Sequence, residues 1–92
     1  MGGYDGDFFD AVEFCSLGDA QRYYSDDIDL DYLDETGKTV LMIAAYYGHV
    51  DVIRWLLEKG AQKDIVGPTG ERAVDIAQAQ GHNKAARLLR TP

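Results

Sequence analysis

The sequence holds a single cysteine and only two prolines among 92 residues. One cysteine excludes a disulfide framework and a zinc knuckle, and it points to a reducing compartment. Apolar runs are short, and none nears the roughly 18 residues that a helix needs to cross a bilayer. Met1 to Asp7 carries neither the basic region nor the apolar stretch of a signal peptide. Gly2 is in place for myristoylation, but Gly6 stands where Ser or Thr is wanted. These absences lead to the expectation of a cytoplasmic or nuclear chain without membrane contact. What is present, 46% apolar and 27% charged residues in 10.2 kDa, suits one small folded domain.

Positive charge is scarce at one end. Residues 1–36 hold eleven acids and one base, Arg22, for a net −10, whereas residues 37–92 hold five acids and eight bases, for a net +3. The total of −7 argues against broad binding to nucleic acid or anionic membranes. The acidic end reads either as an attractor for a basic partner or as a solvated end that confers solubility.

Chemistry-bearing sets are lacking as well. Cys15 has no local histidine to serve as its base and reads as a small buried apolar residue. Two histidines and one cysteine do not complete a zinc site without carboxylates. Asp27, Asp29 and Asp31 have the spacing that opens an EF-hand loop, yet Tyr32 replaces the required Gly and Lys38 the bidentate Glu. Their alternation with Ile28 and Leu30 suits an extended finger with its acids toward solvent. The glycines form neither phosphate-binding pattern. The expectation is no catalytic residue, no metal and no cofactor, hence no enzyme.

Repetition takes the place of a site. Shifted by 33 residues, Thr36 falls on Thr69, Gly37 on Gly70, Ala44 on Ala77, Gly48 on Gly81, His49 on His82 and Leu56 on Leu89. A period of this length marks stacked supersecondary units. In the first third, Gly18 and Asp19 precede Gly48 and His49 by only 30, which implies three residues missing from that unit's second helix. Each unit reads as helix, tight turn, helix and extended finger. Thr39 is the expected N-cap of the middle unit, Gly48 and Gly60 the expected helix ends, and Gly37 and Gly70 the expected positive-φ turn residues. Val52, Ile53, Leu56 and Leu57 form the stripe of an amphipathic helix. Trp55 beside them reads as a packing residue with a partly exposed edge.

The run from Asp34 to His49 resembles the ankyrin pattern D-x-x-G-x-T-P-L-H-x-A-A-x-x-G-H, and Val52-Ile53, Leu56-Leu57 and Gly60-Ala61 continue it. The unit from Gly70 to Leu89 is similar but eroded: Arg72 replaces the capping Thr, Ala73 the Pro and Gln78 the second Ala. Met42 stands in place of the pattern's His, so Thr39 lacks that hydrogen-bond partner. The resemblance spans residues 7–90. It implies an all-α solenoid of stacked helical hairpins joined by β-turn fingers. A tail over 1–6 would precede a cap repeat at 7–33, a full repeat at 34–66 and a C-terminal cap at 67–92. In this family His49 and His82 would serve local hydrogen bonding at the start of the second helix.

The resemblance further implies protein binding through a concave face of finger tips and first helices. Transferred position by position, the face comprises Tyr32, Glu35, Thr36, Lys38, Met42, Tyr46 and Tyr47, with Pro68, Thr69, Glu71, Asp75, Ala79 and Gln80 from the third unit. The expected function is a non-catalytic adaptor or assembly subunit recognising a protein with a basic segment. Two alternatives stand beside it: an inhibitor or chaperone masking a basic nucleic-acid-binding protein, and an excised or engineered scaffold with no native partner. Oligomeric state is open at this level.

Overall fold

The computed structural model describes residues 6–14, 16–25 and 28–90. Within them lie six helices and no strand: α1 (Gly6–Glu13), α2 (Leu17–Tyr23), α3 (Val40–Tyr47), α4 (Val50–Glu58), α5 (Ala73–Ala79) and α6 (Asn83–Arg90). They pair into three hairpins that stack in a row. α1, α3 and α5 pack side by side in one layer, and α2, α4 and α6 back them in a second. This is the all-α solenoid implied by the ankyrin-like pattern. Cys15, Asp26 and Asp27, on which expectations above rest, lie outside the described residues.

Burial follows the helix faces. α3 is apolar nearly all round and sits between two neighbours, so Val40 through Ala45 are all buried. α4 is amphipathic: Val52, Ile53, Trp55 and Leu56 face inward, while Asp51, Arg54 and Glu58 face water. The junction of the first and second hairpins is aromatic. The Trp55 ring lies 5.3 Å from Tyr24, edge to face, and 6.1 Å from Phe8. Trp55 is thus a packing residue, as its place beside the leucine stripe predicts. The second and third hairpins bury the small residues Ala44, Ala77, Ala85 and Ala86, which allow close helix approach.

Helix ends are closed as the sequence leads one to expect in the middle unit. The Met42 N–H donates to Thr39 Oγ1 at 3.2 Å, and Thr39 itself is buried. In the third unit Arg72 offers no acceptor. The Asp75 carboxylate partly compensates by accepting the Arg72 backbone N–H at 3.1 Å.

One expectation is overturned. In all three hairpins the residue before the second helix donates its N–H to the alanine five positions earlier: Ser16 to Ala11 at 2.9 Å, His49 to Ala44 at 3.0 Å, and His82 to Ala77 at 2.9 Å. The 33-residue shift therefore holds for the first unit too. Gly18 and Asp19 belong to α2 and not to the turn, and no residues are missing. α2 is shorter than α4 because its chain turns extended at Tyr24, and the residues saved go into the following loop.

The histidines also act differently from expectation. His49 Nε2 donates to the Glu13 carbonyl and His82 Nε2 to the Tyr46 carbonyl, both at 3.1 Å and both 36 residues apart. Each bond ties a hairpin to the end of the preceding inner helix, not to its own. The His82 ring consequently lies against Gly48, where an added Cβ would come within 2.6 Å of it. Gly48 and Gly81 share the left-handed conformation, at φ 71° and 77°, but among the described residues nothing lies within 4 Å of a Cβ added at Gly81. Gly81→Ala should cost about 1–2 kcal/mol of backbone strain, and Gly48→Ala about 1–3 kcal/mol more from overlap. Urea unfolding measures both, and in a His82→Ala background the extra cost at Gly48 should vanish.

Candidate functional site

The first finger is held by a carboxylate. Asp34 Oδ1 accepts from the Thr36 N–H at 2.8 Å, from Thr36 Oγ1 at 2.6 Å and from the Lys38 N–H at 3.0 Å. Two backbone bonds close the loop: Asp34 N–H to the Lys38 carbonyl and Gly37 N–H to the Asp34 carbonyl, each 2.9 Å. The second finger repeats those backbone bonds between Gly67, Gly70 and Glu71, but Gly67 stands in place of Asp34 and brings no side chain. A Cβ at Gly67 would lie 3.2 Å from the Gly37 carbonyl oxygen, and one at Gly37 would collide with the Pro68 ring. Close contact of the two fingertips thus favours glycine on both sides. Asp31 links the fingers further by accepting the Gln62 N–H at 3.0 Å, so this acid does not simply face solvent as its alternating pattern suggests.

Beside the fingers, Thr36, Lys38, Tyr46 and Tyr47 line a depression of about 250 Å³ together with Asp34 and Glu13. Tyr46 and Tyr47 are 38% and 45% exposed, with their rings edge to face at 5.0 Å. Tyr47 also stacks on the His49 ring at 5.6 Å, and Lys38 Nζ lies 5.0 Å over the Tyr46 ring. Both tyrosines are therefore oriented before anything binds. An adjoining cleft of about 270 Å³ between the fingertips is lined by Thr36, Lys38, Pro68, Thr69 and Glu71, with Met42 among its lining residues.

The remaining residues expected on this face are placed as follows. Met42 is only 2% exposed; it fills the space beneath the second finger and is not a free contact. Tyr32 sets its ring edge-on to Phe9 at 6.3 Å and lines neither depression. Asp75 uses a carboxylate oxygen on the Arg72 N–H. Glu35 is exposed at the first fingertip, outside both linings. Glu71 accepts from Thr69 Oγ1 at 3.0 Å. Ala79 and Gln80 are exposed at the end of α5.

Two residues of this face escape the sequence reading. With the first unit shifted by 33, Glu13 and Phe14 occupy the positions of Tyr46 and Tyr47. Phe14 is 75% exposed, the most exposed of the large apolar side chains among the described residues. The aromatic row therefore begins one hairpin earlier than expected, at the acidic end. Among the described residues no group of three or more His, Cys, Asp or Glu side chains could hold a metal ion. No helix there is long and apolar enough to cross a membrane.

A family model described as "Ankyrin repeats (3 copies)" matches residues 8–91. The chain is 42% identical over 62 residues to the NAD-capped RNA hydrolase NUDT12 of Homo sapiens, covering 67% of this chain and 13% of that protein. It is 39% identical over 59 residues to the ankyrin repeat domain-containing protein OPG015 of Monkeypox virus, covering 64% and 14%. A chain from the solved structure of the Bd0816 predatory endopeptidase of Bdellovibrio bacteriovorus in complex with immunity protein Bd3460 superposes with a TM-score of 0.86 at 30% identity. That match covers 92% of this chain and 45% of the other. The chain thus spans a small part of these curated relatives and under half of the matched structure.

The Asp34 cradle carries a pH signature. Partial burial raises its pKa, but the bonds from Thr36 and Lys38 and the Lys38 charge outweigh that, and the pKa falls below its ordinary 3.8. A carboxylate with a lowered folded-state pKa stabilises the fold above its unfolded value and loses that contribution as pH drops through the folded one. Asp34→Asn should therefore be less stable than wild type at pH 7, with the difference closing below about pH 4. Thermal unfolding of both proteins across pH 2–7 measures it; a constant difference would contradict the cradle.

Proposed function

The chain belongs to the ankyrin-repeat family, a family of non-catalytic modules that mediate protein–protein interaction, and from that membership we propose an adaptor or assembly role. The binding surface runs along the exposed ends of α1 and α3 and over the two fingertips. The observation that carries this reading is the row formed by Phe14, just past the end of α1, and Tyr46 and Tyr47 at the end of α3, aromatic yet exposed. Aromatic side chains give large contact area at low entropic cost and dominate many interfaces. Large apolar groups gathered in this way on an otherwise charged surface mark a contact region.

The charge distribution favours a partner with a basic segment. Glu35 and Glu71 are exposed on the fingertips, and Asp10 and Asp19 lie beside Phe14. Such a field steers encounter and selects partners by sign more than it holds the complex together. Phe14, Tyr46 and Tyr47 supply the buried contact, while Thr36 and Lys38 supply polar selection. A working place in the cytoplasm or nucleus accords with this role. The matched endopeptidase structure, by its description, holds a complex with an immunity protein, an instance of protein recognition in the same structural context.

The test is quantitative capture from a lysate of the source cells, with the intact chain as bait and mass spectrometry as readout. Phe14→Ala/Tyr46→Ala/Tyr47→Ala should reduce recovery of the specific partner at least about tenfold. Because these rings are substantially exposed, the unfolding midpoint should move little. Undiminished capture by the triple variant would remove the surface from this row. Recovery that is flat with rising salt would remove the basic segment.

A further inference from the structure

A second groove lies on the opposite layer of the stack. Between α4 and α6, Val50 and Leu88 form a half-buried apolar strip in a hollow of about 460 Å³, flanked by Arg54, Lys84 and Arg87. It is larger than either depression beside the fingers. Arg90 does not join this cluster; it reaches the Gln78 side chain on α5. The groove concentrates three of the chain's nine bases, in a protein whose net charge is −7.

The complementary surface occurs on the same molecule. At the first hairpin, Phe14 and Tyr23 project 75% and 42% exposed beside Asp10 and Asp19, around a shallow hollow between α1 and α2. One end thus offers aromatic knobs among carboxylates, and the outer groove offers an apolar floor among cations. We infer that the α4–α6 groove docks the Phe14 end of a second copy of this chain. Phe14 would enter over Val50 and Leu88, with Asp10 and Asp19 brought toward Arg54, Lys84 and Arg87. Burial of Phe14 supplies the apolar contribution, and the charges set polarity and register.

The two surfaces differ, so the contact is heterologous and a dimer keeps one free Phe14 end and one free groove. Association then proceeds head to tail, from dimers to longer rows, unless the rotation closes a ring. Net like charge opposes it at long range, and screening at about 0.1 M salt confines that repulsion to roughly 10 Å. The contact is consequently weak and concentration-dependent.

Sedimentation equilibrium of the full chain tests the inference with two variants. Asp10→Lys/Phe14→Ala spoils the end, and Arg54→Glu/Lys84→Glu spoils the groove; all four residues are exposed, and circular dichroism confirms that each variant folds. Wild type should exceed its 10.2 kDa mass as concentration rises. Each variant alone should associate at least about tenfold more weakly. Their equimolar mixture should form a dimer that does not grow, because one intact end meets one intact groove. Wild type that stays monomeric, either variant associating as wild type does, or a mixture without dimer would overturn the inference. The first of these results would leave the groove to an acidic segment of a different protein.

Discussion

Each hairpin must come close enough to its predecessor for a turn histidine to reach the backbone carbonyl that ends the preceding inner helix. The last carbonyls of a helix lack partners within it and need a donor from outside. His49 and His82 supply that donor to Glu13 and Tyr46 at 3.1 Å. One such bond contributes only about 1 kcal/mol, but it repeats with the chain's period and sets the distance and offset between units. The glycine at position 48 follows from it, since the ring occupies the space a side chain would need.

The offset determines what the stack presents. Once Ser16, His49 and His82 occupy equivalent places, Glu13 and Phe14 align with Tyr46 and Tyr47, and an exposed aromatic row spans the first two hairpins. The fingers add the other wall. Three bonds to Asp34 hold the first finger's tip, so Thr36 and Lys38 keep a fixed position beside the tyrosines. The second finger has no such cradle and instead rests its Pro68 ring against Gly37. Charge runs along the stack, from Asp7, Asp10, Glu13 and Asp19 on the first hairpin to Lys84, Arg87 and Arg90 on α6.

Much of this was legible in the residues, and the rest failed for specific reasons. The middle unit could be read through because Thr39, Gly48 and Gly60 each leave a local chemical mark at a helix end. Trp55 is placed by its leucine stripe. The first unit misleads because Cys15 and Ser16 occupy the positions where the other units have Gly and His, while the nearby Gly18 and Asp19 suggest a shift of 30. With it went Glu13 and Phe14, although a uniform shift of 33 would have recovered both. Met42 is assigned to the face by its place in the repeat pattern, which does not reveal that a finger folds over that side of α3 and leaves it 2% exposed. The histidine bonds were invisible for a similar reason, being contacts between units that a repeat compared with itself cannot display.

The most direct measurement is the scalar coupling across the hydrogen bond from His49 Nε2 to the Glu13 carbonyl carbon, in isotopically labelled protein. The account predicts an Nε2-protonated ring coupled to Glu13, and an equivalent coupling from His82 to Tyr46. Coupling to a carbonyl within the same hairpin, or an Nε2 proton exchanging freely with water in both histidines, would contradict it.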